Sequence, residues 1–150
     1  IIDDMKKLAA EKNISLDLLN DLDVPNIKVD RYRFQQICIN IISNAIHYTE
    51  HGSVSVQVKK EGDSVNVVFK DTGIGMSNED QAKLFQKFQT GKSFLQSSEY
   101  GSGLGLYISS MLSRAMGLSL TLQSSQLGTG TTFALAIPLN PVVPEKTIVT

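Results

Sequence analysis

A carboxylate at the inward end of a strand, followed two residues later by the first of two glycines, makes Asp71-Thr72-Gly73-Ile74-Gly75-Met76 the stretch best suited to hold a ligand. Val65, Val67 and Phe69 fall on one face of that strand and Asn66, Val68 and Lys70 on the other, because successive strand side chains point to opposite sides. Asp71 keeps the phase of the apolar set. A carboxylate turned inward is costly unless a donor or water satisfies it. An exocyclic amino group on a flat heterocycle would be such a donor, and bare glycine backbone would let the ring lie close. Taken alone, the stretch is equally a strand followed by a Gly-rich turn.

Two further groups of residues point the same way. Gly101-Ser102-Gly103-Leu104-Gly105-Leu106 opens a helix; glycines let backbone approach phosphate oxygens, and free amides at a helix start point at an anion. It lacks the Gly-Lys-Ser/Thr of a P-loop and the leading strand of a dinucleotide fingerprint, and by itself it is also a flexible turn. On a helix spanning about 30–48, Asn40, Asn44 and His47 recur at i, i+4 and i+7 as a polar stripe beside the apolar face, with Tyr48 one turn beyond Asn44. An Asn carbonyl oxygen suits magnesium, which otherwise takes phosphates and water; two amides on an exposed face are also ordinary surface.

The elements that must position these groups can be read from periodicity. Residues 1–11 predict a short helix, and Ile14, Leu16 and Leu18 a strand. Asp30 predicts the N-cap of the next helix, whose core face carries Phe34, Ile37, Cys38, Ile41, Ile42 and Ala45. Val54, Val56 and Val58 begin a hairpin that turns at Glu61-Gly62-Asp63 and delivers Asp71. The spacing predicts a short helix over 78–88 carrying Leu84, Phe85 and Phe88, and residues 89–100 read as a mobile loop long enough to suggest a lid. An amphipathic helix over 104–116 and a closing hairpin about Gly128-Thr129-Gly130 follow. The order predicts a two-layer α/β sandwich, with a mixed, mostly antiparallel sheet on about three helices.

Composition narrows the class. A chain of 150 residues with 41% hydrophobic residues suits one domain, burying roughly 68–70% of its unfolded surface without disulfides or a structural metal. The single cysteine, Cys38, sits in an apolar helical pattern as a core residue and fits a reducing compartment. No apolar run reaches the roughly 18 residues needed to span a bilayer. A net charge of −1 gives no electrostatic reason to expect nucleic acid or an anionic membrane. A start at Ile1-Ile2-Asp3, without an initiator methionine, reads as a fragment or a processed piece.

In this order, Asn40/Asn44, Asp71-x-Gly73-x-Gly75, Phe85/Phe88, 101–106 and Gly128-Thr129-Gly130-Thr131-Thr132-Phe133 resemble the ATP-binding catalytic domain of sensor histidine kinases. That family shares a superfamily, and a Bergerat-type fold, with DNA gyrase, a heat-shock chaperone and mismatch-repair ATPases. The resemblance divides the chain into 1–12, the end of a preceding helical hairpin or a linker; 13–140, the ATP-binding domain; and 141–150, a Pro-containing exit linker. It implies that Asp71 receives the adenine amino group, that Gly73 and Gly75 flank the ring, and that Asn44 coordinates Mg2+. Asn40 would lie near the attacking group, His47 toward the phosphates, and Tyr48 beside the nucleotide. Phe88 would stand at the lid's base, and Gly101, Gly103, Leu104, Gly105 and Leu106 at the phosphate-side turn. Thr132 would offer a hydroxyl to the adenine pocket.

Three departures stand out. Thr90 occupies a position where many relatives carry arginine, leaving Lys92 as the lid's only cation. His47 replaces a permanent cation with a group mostly neutral near pH 7. Met116-Gly117-Leu118 has leucine where a second glycine is common, a change expected to be harmless. By the resemblance, neither His47 nor His51 is the phosphoacceptor, which lies on a separate dimerisation domain. The implied function is therefore a cytoplasmic catalytic domain of a two-component kinase. It would bind Mg-ATP and pass the γ-phosphoryl group to a histidine of that partner domain, upstream of a response regulator receiver domain, with no nucleic acid and no direct membrane contact. The alternatives are a non-catalytic nucleotide sensor of the same fold and an ATPase of the same superfamily.

Overall fold

Alternation and helical periodicity resolve into five strands and four helices among the described residues, 1–86 and 104–140 of this computed structural model. The expected lid, Phe88, Lys92, Gly101, Gly103 and the exit segment lie outside the described residues. In chain order the elements are α1 (Ile2–Glu11), β1 (Ser15–Asn20), α2 (Arg31–His47), β2 (Ser53–Glu61), β3 (Ser64–Asp71), α3 (Asn78–Ala82), α4 (Gly105–Ala115), β4 (Ser119–Gln126) and β5 (Gly130–Pro138).

The strands form one sheet in the order β1-β2-β3-β5-β4. β1 runs parallel to β2, a pairing that needs a long crossover, and α2 is that crossover. All other pairs are antiparallel, so the sheet is mixed and mostly antiparallel, as the sequence predicts. The core lies between the sheet and α2. Ile37, Ile41, Ile42 and Ile46 of the helix, with Val54, Val65, Phe69 and Leu135 of the sheet, are each no more than 2% exposed. Burial of such a side chain is worth about 1.5–3 kcal/mol, so α2 is fixed against β3, the strand that carries Asp71. No helix among the described residues is long and apolar enough to cross a membrane.

The helix ends explain several local choices. Asp30 caps α2, its side chain accepting from the Arg33 amide at 3.1 Å. α1 ends in a Schellman motif: the Asn13 amide donates to the Ala10 carbonyl and the Ile14 amide to the Ala9 carbonyl, both at 3.0 Å. The motif needs a left-handed residue, and Asn13 takes φ +58°. α4 closes the same way through Gly117, φ +71°, with the Leu118 amide on the Ser113 carbonyl at 2.8 Å. Leu118 is therefore the buried apolar residue that completes the motif, which accounts for a leucine at that position.

One expected element is shorter than its apolar spacing predicts. The helix expected over 78–88 ends at Ala82. Beyond it the Lys83, Leu84 and Gln86 amides bond back three residues rather than four, a tightening that ends a helix. Phe85 leaves this turn to meet Phe133 edge-on at 6.3 Å.

Asn13 gives a direct stability test. A left-handed conformation costs an ordinary L-residue about 1–2 kcal/mol, whereas glycine carries no such penalty. Asn13→Ala should lose about 1 kcal/mol in denaturant unfolding, and Asn13→Gly should be at least as stable as the parent. An alanine variant of undiminished stability would show that the motif does not hold α1.

Candidate functional site

Asp71 ends β3 on the core side and is 8% exposed. Its Oδ1 accepts from the Gly73 amide at 2.9 Å and the Thr131 amide at 3.2 Å. Burial raises its pKa above the ordinary aspartate range, while the two amides pull it back down. Among the described residues Oδ2 accepts no hydrogen bond, and it is not sealed from solvent. The carboxylate is thus fixed by one oxygen and offers the other as an open acceptor.

The glycines around it serve the protein's own backbone. A Cβ on Gly73 would collide with the Tyr48 carbonyl, one on Gly75 with the Gln126 carbonyl, and one on Gly130 with the carbonyl of Asp71 itself. Gly75 and Gly130 also take φ +67° and +123°, where side chains are strained. The turn after Asp71 is pinned on both sides: the Ile74 amide donates to the Tyr48 carbonyl at 3.0 Å, and the Gly128 amide to the Ile74 carbonyl at 2.8 Å. Ser125 Oγ accepts from the Met76 amide at 2.9 Å, and Gln81 Nε2 donates to the Met76 and Ser125 carbonyls. Gly73 and Gly75 therefore admit neighbouring backbone before they can admit a ring.

Register moves one expected residue. Asp71 pairs with Thr131, and Thr132 pairs with Lys70; paired residues share a face. Thr131 lies on the Asp71 side and is 8% exposed, whereas Thr132 lies on the opposite side with Lys70, which is exposed. The hydroxyl beside Asp71 belongs to Thr131, which shares a hydrogen bond of 2.9 Å with Ser125 Oγ. A one-residue step along a strand reverses the face, so the choice depended on the pairing register.

On α2 the polar stripe splits into two roles. Asn40 Nδ2 donates to Ser109 Oγ at 3.2 Å and to the Gly105 carbonyl at 3.4 Å, tying α2 to the first turn of α4. Ser109 and Ser113 are fully buried there, with Ser113 Oγ donating to the Ser109 carbonyl at 2.6 Å. Asn44, one turn on, makes no side-chain hydrogen bond among the described residues and is half-buried, so its amide oxygen is open to a ligand. His47 packs edge-on against Tyr48 at 4.7 Å. Burial, and secondarily the Lys12 ammonium, hold the His47 imidazole below its ordinary value, so it is a neutral ring near pH 7. Burial raises the Tyr48 phenol, keeping it a neutral hydroxyl.

At the start of α4 no side chain caps the helix and no acidic residue occupies the first turn. Its leading amides are thus not already taken by a carboxylate of their own helix. A Cβ at Gly105 would meet no atom within 4 Å, so packing among the described residues does not require that glycine. Leu104 supplies the cap position, and Leu106 packs on the core. The structure brings together Asp71, Gly73, Gly75 and Tyr48 at one junction and Asn40 and Gly105 at another; both junctions lie on α2.

Sequence reasoning passed over Lys12, Gln81, Ser109, Ser113, Ser125 and Thr131. Ser109 and Ser113 recur at i, i+4 on α4, a spacing that could have flagged them. Lys12 had no signal, because its partners lie 34 or more residues away. No group of three or more His, Cys, Asp or Glu residues among those described could hold a metal.

Comparison with known proteins gives this geometry a family. Residues 29–141 match the family described as histidine kinase-, DNA gyrase B-, and HSP90-like ATPase. The circadian input-output histidine kinase CikA of Synechococcus elongatus is 38% identical over 140 residues, 90% of this chain and 18% of that protein. The signal transduction histidine-protein kinase BarA of Escherichia coli K12 is 37% identical over 139 residues, 87% of this chain and 15% of that protein. This chain therefore spans less than a fifth of either relative. Among solved structures, full-length ShkA in complex with AMPPNP superposes with a TM-score of 0.79 at 32% identity, covering 91% of this chain and 28% of that one. The catalytic domain of histidine kinase ThkA, nucleotide-free, superposes at 0.74 with 26% identity, covering 93% and 91%. The matched span contains Asn40, Asn44, Asp71 and the whole α4 turn, and the chain belongs to the histidine kinase-, DNA gyrase B-, and HSP90-like ATPase family.

Proposed function

We propose that this chain is the catalytic, ATP-binding domain of a two-component sensor histidine kinase. It binds Mg-ATP and donates the γ-phosphoryl group to a histidine on a separate dimerisation domain, which then supplies a response regulator receiver domain in the cytoplasm. The observation that carries this reading is Asp71, with Oδ1 fixed by two backbone amides and Oδ2 left open beside a turn held from both sides. Similarity to histidine kinases over most of the chain supports it.

The residues divide the work by chemistry. Asp71 Oδ2 accepts from the adenine amino group, with Thr131 and Tyr48 beside it. The amides opening α4 meet the phosphates, and Gly105 leaves room for them. Asn44 fits magnesium through its open amide oxygen; a bound ion would neutralise phosphate charge, the main requirement of phosphoryl transfer besides positioning. Asn40 holds α4 to α2, so the phosphate end and the base end keep a fixed spacing. Phe88, Lys92, Gly101 and Gly103 complete the site in this reading. An amide at position 40 cannot act as a general base on water, which disfavours a hydrolysing ATPase.

ATP with magnesium should stabilise the chain, by about 2.7 kcal/mol at a ligand concentration of 100 Kd. Asp71→Asn should fold, because its carbonyl oxygen can still accept from Gly73 and Thr131. It should nevertheless lose most of that stabilisation, because the amide nitrogen now presents a donor to the adenine amino group. An undiminished thermal shift in Asp71→Asn would remove the adenine assignment.

Transfer tests the function itself. With labelled ATP the isolated chain should stay unlabelled and hydrolyse ATP near background. Adding the dimerisation domain of its parent kinase should label that domain's histidine through an acid-labile bond, and Asn44→Ala should abolish the labelling. Binding of ATP without transfer would favour a nucleotide sensor, and rapid hydrolysis by the chain alone would favour an ATPase.

A further inference from the structure

The last turn of α2 has every carbonyl satisfied, which helix ends lack unless partners are supplied. The Asn44 carbonyl accepts from the Tyr48 amide at 2.9 Å, and the Ala45 carbonyl from Thr49 Oγ1 at 2.7 Å. The Ile46 and His47 carbonyls each accept from Lys12 Nζ at 2.9 Å, and the same ammonium reaches the Thr49 carbonyl at 3.2 Å. One cation from another element thus binds carbonyls on both sides of Tyr48.

Lys12 is itself held in place. It is the cap residue of α1, inside the Schellman motif whose apolar members Ala9 and Ile14 are 0% and 4% exposed. Tyr48, between the gripped carbonyls, turns its own carbonyl to the Ile74 amide at 3.0 Å, where a Cβ on Gly73 would collide with it. Gly73 in turn donates to Asp71 Oδ1. An unbroken run of contacts, through the Lys12 ammonium, the backbone at 46–49 and 73–74 and Asp71 Oδ1, therefore leads from the end of α1 to the carboxylate.

Resting on the nucleotide-site reading above, we propose that Lys12 is a positioning residue for that site: by gripping the carbonyls flanking Tyr48, it seats the Tyr48 carbonyl against the turn at Gly73 and Ile74 and so sets the position of Asp71. Because α1 delivers the ammonium, a shift of α1 against α2 releases all three carbonyls together, which couples the approach of α1 to the base-binding end.

The test uses Lys12→Met, which keeps the apolar stem and removes the donors, and Lys12→Arg, which keeps the charge and several donors. Amide exchange in the nucleotide-free chain is followed at Ile74 and at Leu139, whose amide donates to the Asp63 carbonyl away from the site at 2.8 Å. Exchange at Ile74 should accelerate in Lys12→Met about tenfold more than at Leu139. ATP affinity, measured where the variant is fully folded, should fall roughly 3- to 30-fold, and Lys12→Arg should recover part of both. Equal acceleration at the two amides would mean lost stability alone and would overturn the proposal, as would unchanged ATP affinity. If the parent chain binds no ATP, the site reading fails, while the comparison of Ile74 with Leu139 still decides whether Lys12 seats the turn.

Discussion

Three backbone segments converge on one carboxylate, and most of the site follows from how closely they can approach. The Gly73 and Thr131 amides both reach Asp71 Oδ1, which requires the turn after β3, the start of β5 and the end of α2 to meet. A side chain at 73 would collide with the Tyr48 carbonyl at the end of α2, one at 75 with the Gln126 carbonyl at the end of β4, and one at 130 with the carbonyl of Asp71 itself. An inward carboxylate with no donor would be costly; with two amides on one oxygen it is held ionisable and oriented. Asp71 is only 8% exposed, and that burial still lifts its pKa, so the open oxygen has little bulk water to satisfy it.

α2 transmits this arrangement to the rest of the domain. Its isoleucines lock it to the sheet, its C-terminal turn supports the turn after Asp71 through the Tyr48 carbonyl, and Asn40 ties its middle to the start of α4. The buried Ser109–Ser113 pair gives that helix contact polar partners inside an apolar layer. Satisfied polar groups in such a place specify one arrangement of the two helices. The Asp71 junction and the start of α4 are thus both referenced to α2.

The elements whose signal is local were legible in the sequence. Strand alternation from Val65 to Phe69 correctly turned Asp71 inward, Asp30 was readable as a cap, and the Gly62 turn marked the hairpin. What escaped depends on long-range register or on who fills an empty space. Thr131 and Thr132 differ only by which of them faces Asp71, which the pairing of β3 with β5 decides. Gly75 and Gly105 look alike in sequence, yet one is required by the Gln126 backbone and the other meets nothing. Lys12 resembles any surface lysine until α2 arrives above it. The helix expected over 78–88 stops at Ala82, and from the turn beyond it Phe85 packs edge-on against Phe133, a long-range contact that local periodicity does not show.

The central claim is that the open oxygen of Asp71 receives an exocyclic amino group. Calorimetric titration with ATP and with the triphosphate of unsubstituted purine riboside isolates that one group on an otherwise matched ligand. A hydrogen bond to a charged acceptor is worth about 1.5–3 kcal/mol, so the analogue should bind roughly 10- to 150-fold more weakly than ATP. Equal affinity for the two would contradict the assignment and place the recognition of the base elsewhere.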